Sequence, residues 1–188
     1  MVYLLPQDIN RMGFAAVGQN VLISDKASFY NSSKISIGSN VRIDDFCVIS
    51  AGVGGIFIGN YIHIAVYSSL IGAGKITIGD FSNISSRVSI YSSNDDYSGK
   101  TMTNPLLPKE FTGITNADVF IEKHVIIGSG SIILPGIRLE AGVAIGAHSL
   151  VKNDCHAFGM YAGNPVRFIK DRSRNLLELE KAFLKQVN

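Results

Sequence analysis

Aliphatic residues recur along this chain every six positions, and a small or acidic residue usually follows each one. The series runs Ile37-Gly38, Ile43-Asp44, Ile49-Ser50; Ile58-Gly59, Ile64-Ala65, Leu70; Ile78-Gly79, Ile84-Ser85, Ile90. It continues Ile121-Glu122, Ile127-Gly128, Ile133; Leu139-Glu140, Ile145-Gly146, Val151, with Val17-Gly18 and Ile23-Ser24 as its first members. The fifth residue of each hexad is small or β-branched, as at Val41, Cys47, Ser68, Val88, Ser131 and Cys155. A period of six fits neither the 3.6-residue helix nor simple two-residue alternation. It fits short strands joined by tight corners, with positions one and five turned inward. Three hexads then form one triangular coil, and coils stack at the strand spacing of roughly 4.8 Å.

The departures from the period are placed unevenly. Spacing widens from Phe29 to Ile37, from Ile49 to Ile58, from Leu70 to Ile78 and, most of all, from Ile90 to Ile121. Each widening falls between the third hexad of one coil and the first of the next, so all four insertions leave one corner of the triangle. The largest, residues 92–118, is a long loop without a repeat, and such loops inside compact domains are usually functional. A subunit-packing insertion is the plainer alternative. After Val151 the repeat decays, and residues 173–187 carry Leu176, Leu177, Phe183, Leu184 and Val187 on one helical stripe. That helix is expected to cap the last coil or a neighbouring subunit, closing the open sheet edge. The whole chain, 1–188, reads as one domain: a segment 1–16, a solenoid over 17–160 and an extension over 161–188.

Composition narrows the class. Hydrophobic residues make up 46% and charged residues 17% of 188, which excludes disorder and suggests surface hidden in an oligomer. A net charge of +2 gives no general attraction to nucleic acid. No stretch of eighteen apolar residues and no signal-like start are present, so a soluble, cytoplasmic protein without a membrane span is expected. Cys47 and Cys155 form no metal or disulfide pattern and occupy inward positions, which predicts packing roles.

Specific segments then carry a family resemblance. The run Val119-Phe-Ile-Glu-Lys-His-Val-Ile-Ile-Gly-Ser-Gly-Ser-Ile-Ile-Leu-Pro-Gly-Ile137 resembles the hexapeptide-repeat acyltransferases of the galactoside and maltose acetyltransferase type. Ala144-Ile-Gly-Ala-His-Ser-Leu-Val-Lys152 and Ala162-Gly-Asn-Pro-Val-Arg-Phe-Ile169 are similar to that family's closing coil and final signature. The likeness spans about 17–170. Asn94-Asp-Asp-Tyr-Ser-Gly99 and Arg172-Ser173 resemble a narrower group from O-antigen and capsule pathways, including acetyltransferases for dTDP-linked amino-deoxyhexoses of the viosamine type. The resemblance implies an all-β, left-handed parallel β-helix of about six coils, a handedness that departs from the usual crossover rule. It also implies a homotrimer binding acetyl-CoA between subunits. Gly128, Ser129, Gly146 and Ala147, with Ser149 behind them, would form the pantetheine track. Lys152, Arg167 and Lys170 would meet the phosphates. Each glycine also has a plain role at a corner.

The chemistry is less directly legible. Galactoside-type enzymes place a general-base histidine near the start of the long loop, and here Asp95 or Asp96 stands in its place; the loop contains no histidine. His124 and His148 are fourth residues of hexads and read as corner residues, His148 with a peripheral cofactor contact in view, and His156 reads as structural. His63 is a sixth residue and points outward in a column with Arg42, Asn83, Ile126 and Ala144. That face is expected to begin at the corner from which the loop springs. A histidine near pKa about 6.5 suits general-base work, whereas an aspartate near about 3.9 is a poor base for a hydroxyl yet holds an ammonium well. This favours N-acetylation of a nucleotide-linked amino-deoxysugar, with Asp95 and Asp96 binding and deprotonating the ammonium and His63 as a further catalytic candidate. Asn83, Asn94 and Tyr97 are the accompanying substrate contacts. O-acetylation of a sugar hydroxyl with His63 as base stays open, as does a non-catalytic scaffold. No metal is expected, because His63, His124 and His148 share no hexad position.

Overall fold

Each hexad forms a short strand and a tight corner, and the strands align into three parallel sheets that make the faces of a triangular prism. The computed structural model describes residues 1–187. The first face stacks Ala16–Val17, Ile35–Ile37, Ile56–Ile58, Ile76–Ile78, Val119–Ile121 and Arg138–Leu139. The second stacks Leu22–Ile23, Val41–Ile43, Ile62–Ile64, Asn83–Ile84, Ile126–Ile127 and Ala144–Ile145, then Gly159–Gly163 and Val166–Asp171. The third stacks Ser28–Tyr30, Val48–Ala51, Ser69–Gly72, Ser89–Tyr91, Ile132–Ile133 and Leu150–Val151. Six coils are complete, and a seventh begins where Cys155 bridges Leu139. This is the parallel solenoid that the six-residue period predicts.

Inward residues stack in ladders. Ile23, Ile43, Ile64, Ile84, Ile127 and Ile145 lie in successive register on the second face, all buried. Full burial of each such side chain is worth about 1.5–3 kcal/mol, so the repeat itself supplies the core. Cys47 and Cys155 are buried among these aliphatics as expected, and burial pushes both thiols up to about 11.

The corners require left-handed backbone. Between the first and second faces it falls on Asn20, Asn40, Tyr61, Phe81, His124 and Gly142. Side chains other than Gly and Asn adopt this conformation at a cost of about 1–2 kcal/mol. Stacking offsets it: Tyr61 lies over Phe81 at 5.0 Å and Phe81 over His124 at 5.1 Å, with nearly parallel rings. Gly142 continues the column because the Phe158 ring fills the space that a Cβ would need.

The ends are closed by different means. Helix α1, Pro6–Arg11, arises in the N-terminal segment, for which no element was expected; its buried Ile9 joins the core. At the other end, Val166–Asp171 folds back antiparallel on Gly159–Gly163 and becomes the last strand of the second face. Helix α2, Asn175–Val187, is the expected C-terminal helix, but it does not cap the last coil. Instead it lies along the aromatic corner column, where Phe183 meets Tyr61 edge-on at 5.2 Å. Its apolar stripe finds that ladder, while the hairpin takes the sheet edge. Among the described residues no helix is long and apolar enough to cross a membrane.

The long loop leaves between the third and first faces, as do the three smaller insertions. It has more order than the missing repeat suggests. Ser93–Asn94 pairs antiparallel with Thr115–Asn116, Met102 bridges Thr112, and Lys109–Phe111 forms one 3-10 turn. Tyr97, Met102, Leu106, Phe111 and Ile114 nevertheless stay exposed.

Candidate functional site

Two columns of side chains run down the outside of the second face. The β-register aligns Arg42, His63, Asn83, Ile126 and Ala144 in one. Beside it, at the corner shared with the third face, the register continues through Asp44, Ala65, Ser85, Gly128, Gly146 and Ala162. Asp44 is buried and accepts hydrogen bonds on both oxygens, from Arg42 Nε at 2.7 Å and from His63 Nε2 at 2.8 Å. These contacts orient His63 and satisfy a carboxylate that would otherwise be costly to bury. His63 and Asn83 are thereby neighbours on one surface.

That surface is not where the loop emerges. The face carrying His63 was expected to begin at the loop's corner, and the topology corrects this. His63 and Asn83 belong to second hexads, whereas the loop follows a third hexad and leaves between the third and first faces. In a triangular prism that is the corner opposite the second face. Within one chain, His63 and Asp95 are therefore held apart.

Asn94, Asp95, Asp96 and Tyr97 line their own shallow cleft on the loop, together with Lys100, Thr101 and Thr115. The two aspartates differ sharply. Asp96 accepts from the backbone N–H groups of Ser98 at 2.8 Å and Thr101 at 2.9 Å, and from the Thr101 hydroxyl at 3.0 Å. Hydrogen bonds from Ser98 and Thr101 hold its carboxyl well below the usual carboxylate range. Such a group fastens the loop and is a weak proton acceptor. Asp95 is exposed, and its carboxylate has no partner among the described residues. The two were expected to act alike; the geometry separates an anchor from a free carboxylate.

The expected cofactor track lies on the second surface. Gly128, Ser129, Gly146 and Ala147 form adjacent turns at the corner between the second and third faces. A Cβ on Gly128 would come within 2.5 Å of the Ala147 nitrogen, so the glycine is required for coil stacking. The Ser149 hydroxyl is committed within the fold, donating to the Gly146 carbonyl at 2.7 Å and accepting from the Gly163 N–H. Arg167 pairs across the hairpin with Ala162, at the lower end of this track, and Lys170 pairs with Met160. Lys152 follows Val151 at the far edge of the third face, so that face separates it from the track.

Ser85 was not singled out from the sequence. It holds the same position as Gly128 and Gly146, one and two coils further on, and that shared place is the signal that marks it. Its hydroxyl has no hydrogen-bond partner among the described residues. The remaining histidines serve other ends. His124 bonds Glu180 of α2, His148 stands exposed at the corner where Gly130 leaves it room, and His156 lies near Glu140. His63, His124 and His148 sit on different parts of the prism. Among the described residues no group of three or more His, Cys, Asp or Glu could hold a metal ion.

Comparison with known proteins gives close relatives, although no family model matches. The chain is 62% identical over 183 residues to the dTDP-4-amino-4,6-dideoxy-D-glucose acyltransferase of Escherichia coli, covering 97% of this chain and 95% of that one. It is similar to the crystal structure of AntD, an N-acyltransferase from Bacillus cereus, in complex with dTDP and 3-hydroxybutyryl-CoA. The identity there is 46%, the TM-score 0.95, and coverage 99% and 98%. A maltose O-acetyltransferase from Clostridium difficile is more distant, at 25% identity and a TM-score of 0.54 over 89% of this chain and 75% of that one.

Proposed function

Since the chain belongs to the hexapeptide-repeat acyltransferases that act on dTDP-linked amino-deoxysugars, we propose that it transfers acetyl from acetyl-CoA to the amine of such a sugar, a dTDP-4-amino-4,6-dideoxyhexose. The observation that carries this reading is the contrast between Asp95 and every histidine. No histidine lies on the loop, while Asp95 offers a free carboxylate suited to an ammonium.

The donor lies along Gly128, Ser129, Gly146 and Ala147, with Arg167 and Lys170 toward its phosphates. Ser85, next in that column, borders the acceptor end, with Asn83 and His63 beside it. Asp95 takes a proton from the sugar ammonium, and the neutral amine attacks the thioester carbonyl carbon. The C–N bond forms and the C–S bond breaks, and the second proton of the nitrogen passes to the departing thiolate. His63 orients the acceptor, with Asp44 fixing the imidazole through Nε2.

This arrangement requires more than one copy of the chain. The loop leaves the far end of the third face from Ser85, and its exposed apolar side chains, Tyr97 at 88% and Leu106 at 89%, have no cover within the chain. In a homotrimer the loop of one copy lies across the second face of the next and brings Asp95, Asn94 and Tyr97 to Ser85. Both substrates are water-soluble metabolites, consistent with a cytoplasmic step that supplies a surface polysaccharide.

Two variants in the AntD structures support the pairing of residues. One replaces a serine and the other an aspartate ten positions later, and here Ser85 and Asp95 have that spacing. Ser86 and Asp96 share it, but Asp96 is spent on the loop. Mass spectrometry after offering acetyl-CoA with dTDP- and UDP-amino sugars and simple hydroxyl acceptors tests the reading. Acetylation of the dTDP-amino sugar is expected; a hydroxyl acceptor modified in preference would overturn it.

A further inference from the structure

Helix α2 takes no part in the acyl-transfer chemistry, yet it grips one stretch of the corner between the first and second faces. Phe183 meets Tyr61 edge-on at 5.2 Å and Phe81 at 6.2 Å. Glu180 accepts hydrogen bonds from His124 at 2.8 Å and Lys123 at 3.2 Å. Just ahead of the helix, Arg172 donates to the His124 and Gly142 carbonyls. The His124–Glu180 pair is sheltered, with side chains 10% and 15% exposed.

The gripped stretch is the part of the corner that needs support. Its other left-handed residues are Asn20, Asn40 and Gly142, and Asn and Gly adopt that conformation readily. Tyr61, Phe81 and His124 hold it with large side chains, at φ of 55°, 61° and 61°. Phe81, the middle ring of the stack, stands two residues before Asn83, so its torsions set the direction in which that strand leaves the corner. His63 is fixed independently by Asp44, whereas the Asn83 side-chain amide has no hydrogen-bond partner among the described residues. Its place on the second face therefore follows from its backbone.

We propose that Phe183 and Glu180 of α2 are positioning residues for acyl transfer: by bracing the Tyr61–Phe81–His124 corner, they hold Asn83 where the acceptor meets it. The proposal rests on the acceptor lying beside Asn83, as the acyltransferase reading places it. The donor track at Gly128 and Gly146 occupies the other corner of the second face, so the helix braces one side of the site and leaves the other alone. A displacement of about 1 Å can cost on the order of 10²-fold in rate, so a brace remote from the chemistry is felt in turnover.

The test uses the full-length protein, with the dTDP-amino sugar and acetyl-CoA as substrates. Phe183→Ala and Glu180→Gln are each expected to lower kcat/KM for the acceptor by about tenfold, with the acetyl-CoA KM unchanged. Phe183→Tyr keeps the ring and should restore the wild-type value. The deciding measurement is a double-mutant cycle: once Asn83→Ala has removed the side chain being positioned, adding Phe183→Ala should cost little more. Losses that multiply instead would place the effect of the helix elsewhere and overturn the proposal. Unchanged acceptor kinetics in the Phe183→Ala/Glu180→Gln double variant, which removes both contacts, would overturn it as well, as would an equal change for acetyl-CoA. A wild type that leaves the dTDP-amino sugar unmodified sinks the acceptor assignment and this role together; with wild type active, the variants bear on the brace alone.

Discussion

His124 and Glu180 meet at 2.8 Å between imidazole Nε2 and a carboxylate oxygen, and this contact ties the terminal helix to the middle of the solenoid. His124 is also the lower member of the Tyr61–Phe81–His124 stack, so one side chain belongs to both the corner column and the helix contact. Lys123 adds a second bond to the same carboxylate at 3.2 Å.

Helix docking should depend on acid. The Glu180 carboxyl is held below its ordinary value, chiefly by the bond from His124 and then by Lys123. A depressed folded-state value means the stabilisation is complete above the ordinary carboxylate range and is lost as pH falls through the folded value. Limited proteolysis of the C-terminal tail should therefore quicken below about pH 4 in wild type. Glu180→Gln and Phe183→Ala should be cut readily at neutral pH as well. Equal resistance of all three at both pH values would count against the contact.

The two loop aspartates should separate cleanly. Asp95→Asn is predicted to lower kcat by roughly 10²–10⁴-fold with an unchanged melting temperature, the size expected for a lost general base. Asp96→Asn should instead loosen the loop, seen as faster cleavage between 97 and 111, with a smaller loss of turnover. The reverse ranking of kcat would place the proton transfer on Asp96.

Sharing of the site between copies can be read by complementation. Asp95→Asn disables the loop of a subunit, and Ser85→Asp blocks its second face with a like charge. Each homo-oligomer should be nearly inactive. Co-expressed subunits should regain part of the activity, because some interfaces then join an intact Ser85 face to an intact Asp95 loop. Mixed oligomers that stay as inactive as their parents would mean that each chain completes its own site.

Cys47 and Cys155 should be unreactive in the folded protein. The thiolate is the nucleophile, and burial pushes both thiols up to about 11. A disulfide reagent at about pH 8 is predicted to label neither until denaturant unfolds the chain, when both titrate. Rapid labelling of either native thiol would show that its coil opens.

The six-residue period by itself determined the three-faced solenoid, the inward ladder from Ile23 to Ile145, the buried cysteines and the single corner from which every insertion leaves. Strand, corner and inward position are local properties, set within each hexad by residue size and left-handed turns, and they repeat without reference to distant residues. The family segments around Gly128 and Gly146 pointed to the cofactor track for the same reason. Only the tertiary structure decided which side of the prism faces which. The separation of Ser85 and Asp95 by the width of the third face follows from coil closure, not from any spacing along the loop. Asp96 and Asp95 are adjacent and chemically identical, and donors from Ser98 and Thr101, in a segment without periodicity, made one an anchor and left the other free. The helix stripe was legible, but its partner was not, because Tyr61, Phe81 and His124 become one surface only when coils distant in sequence stack.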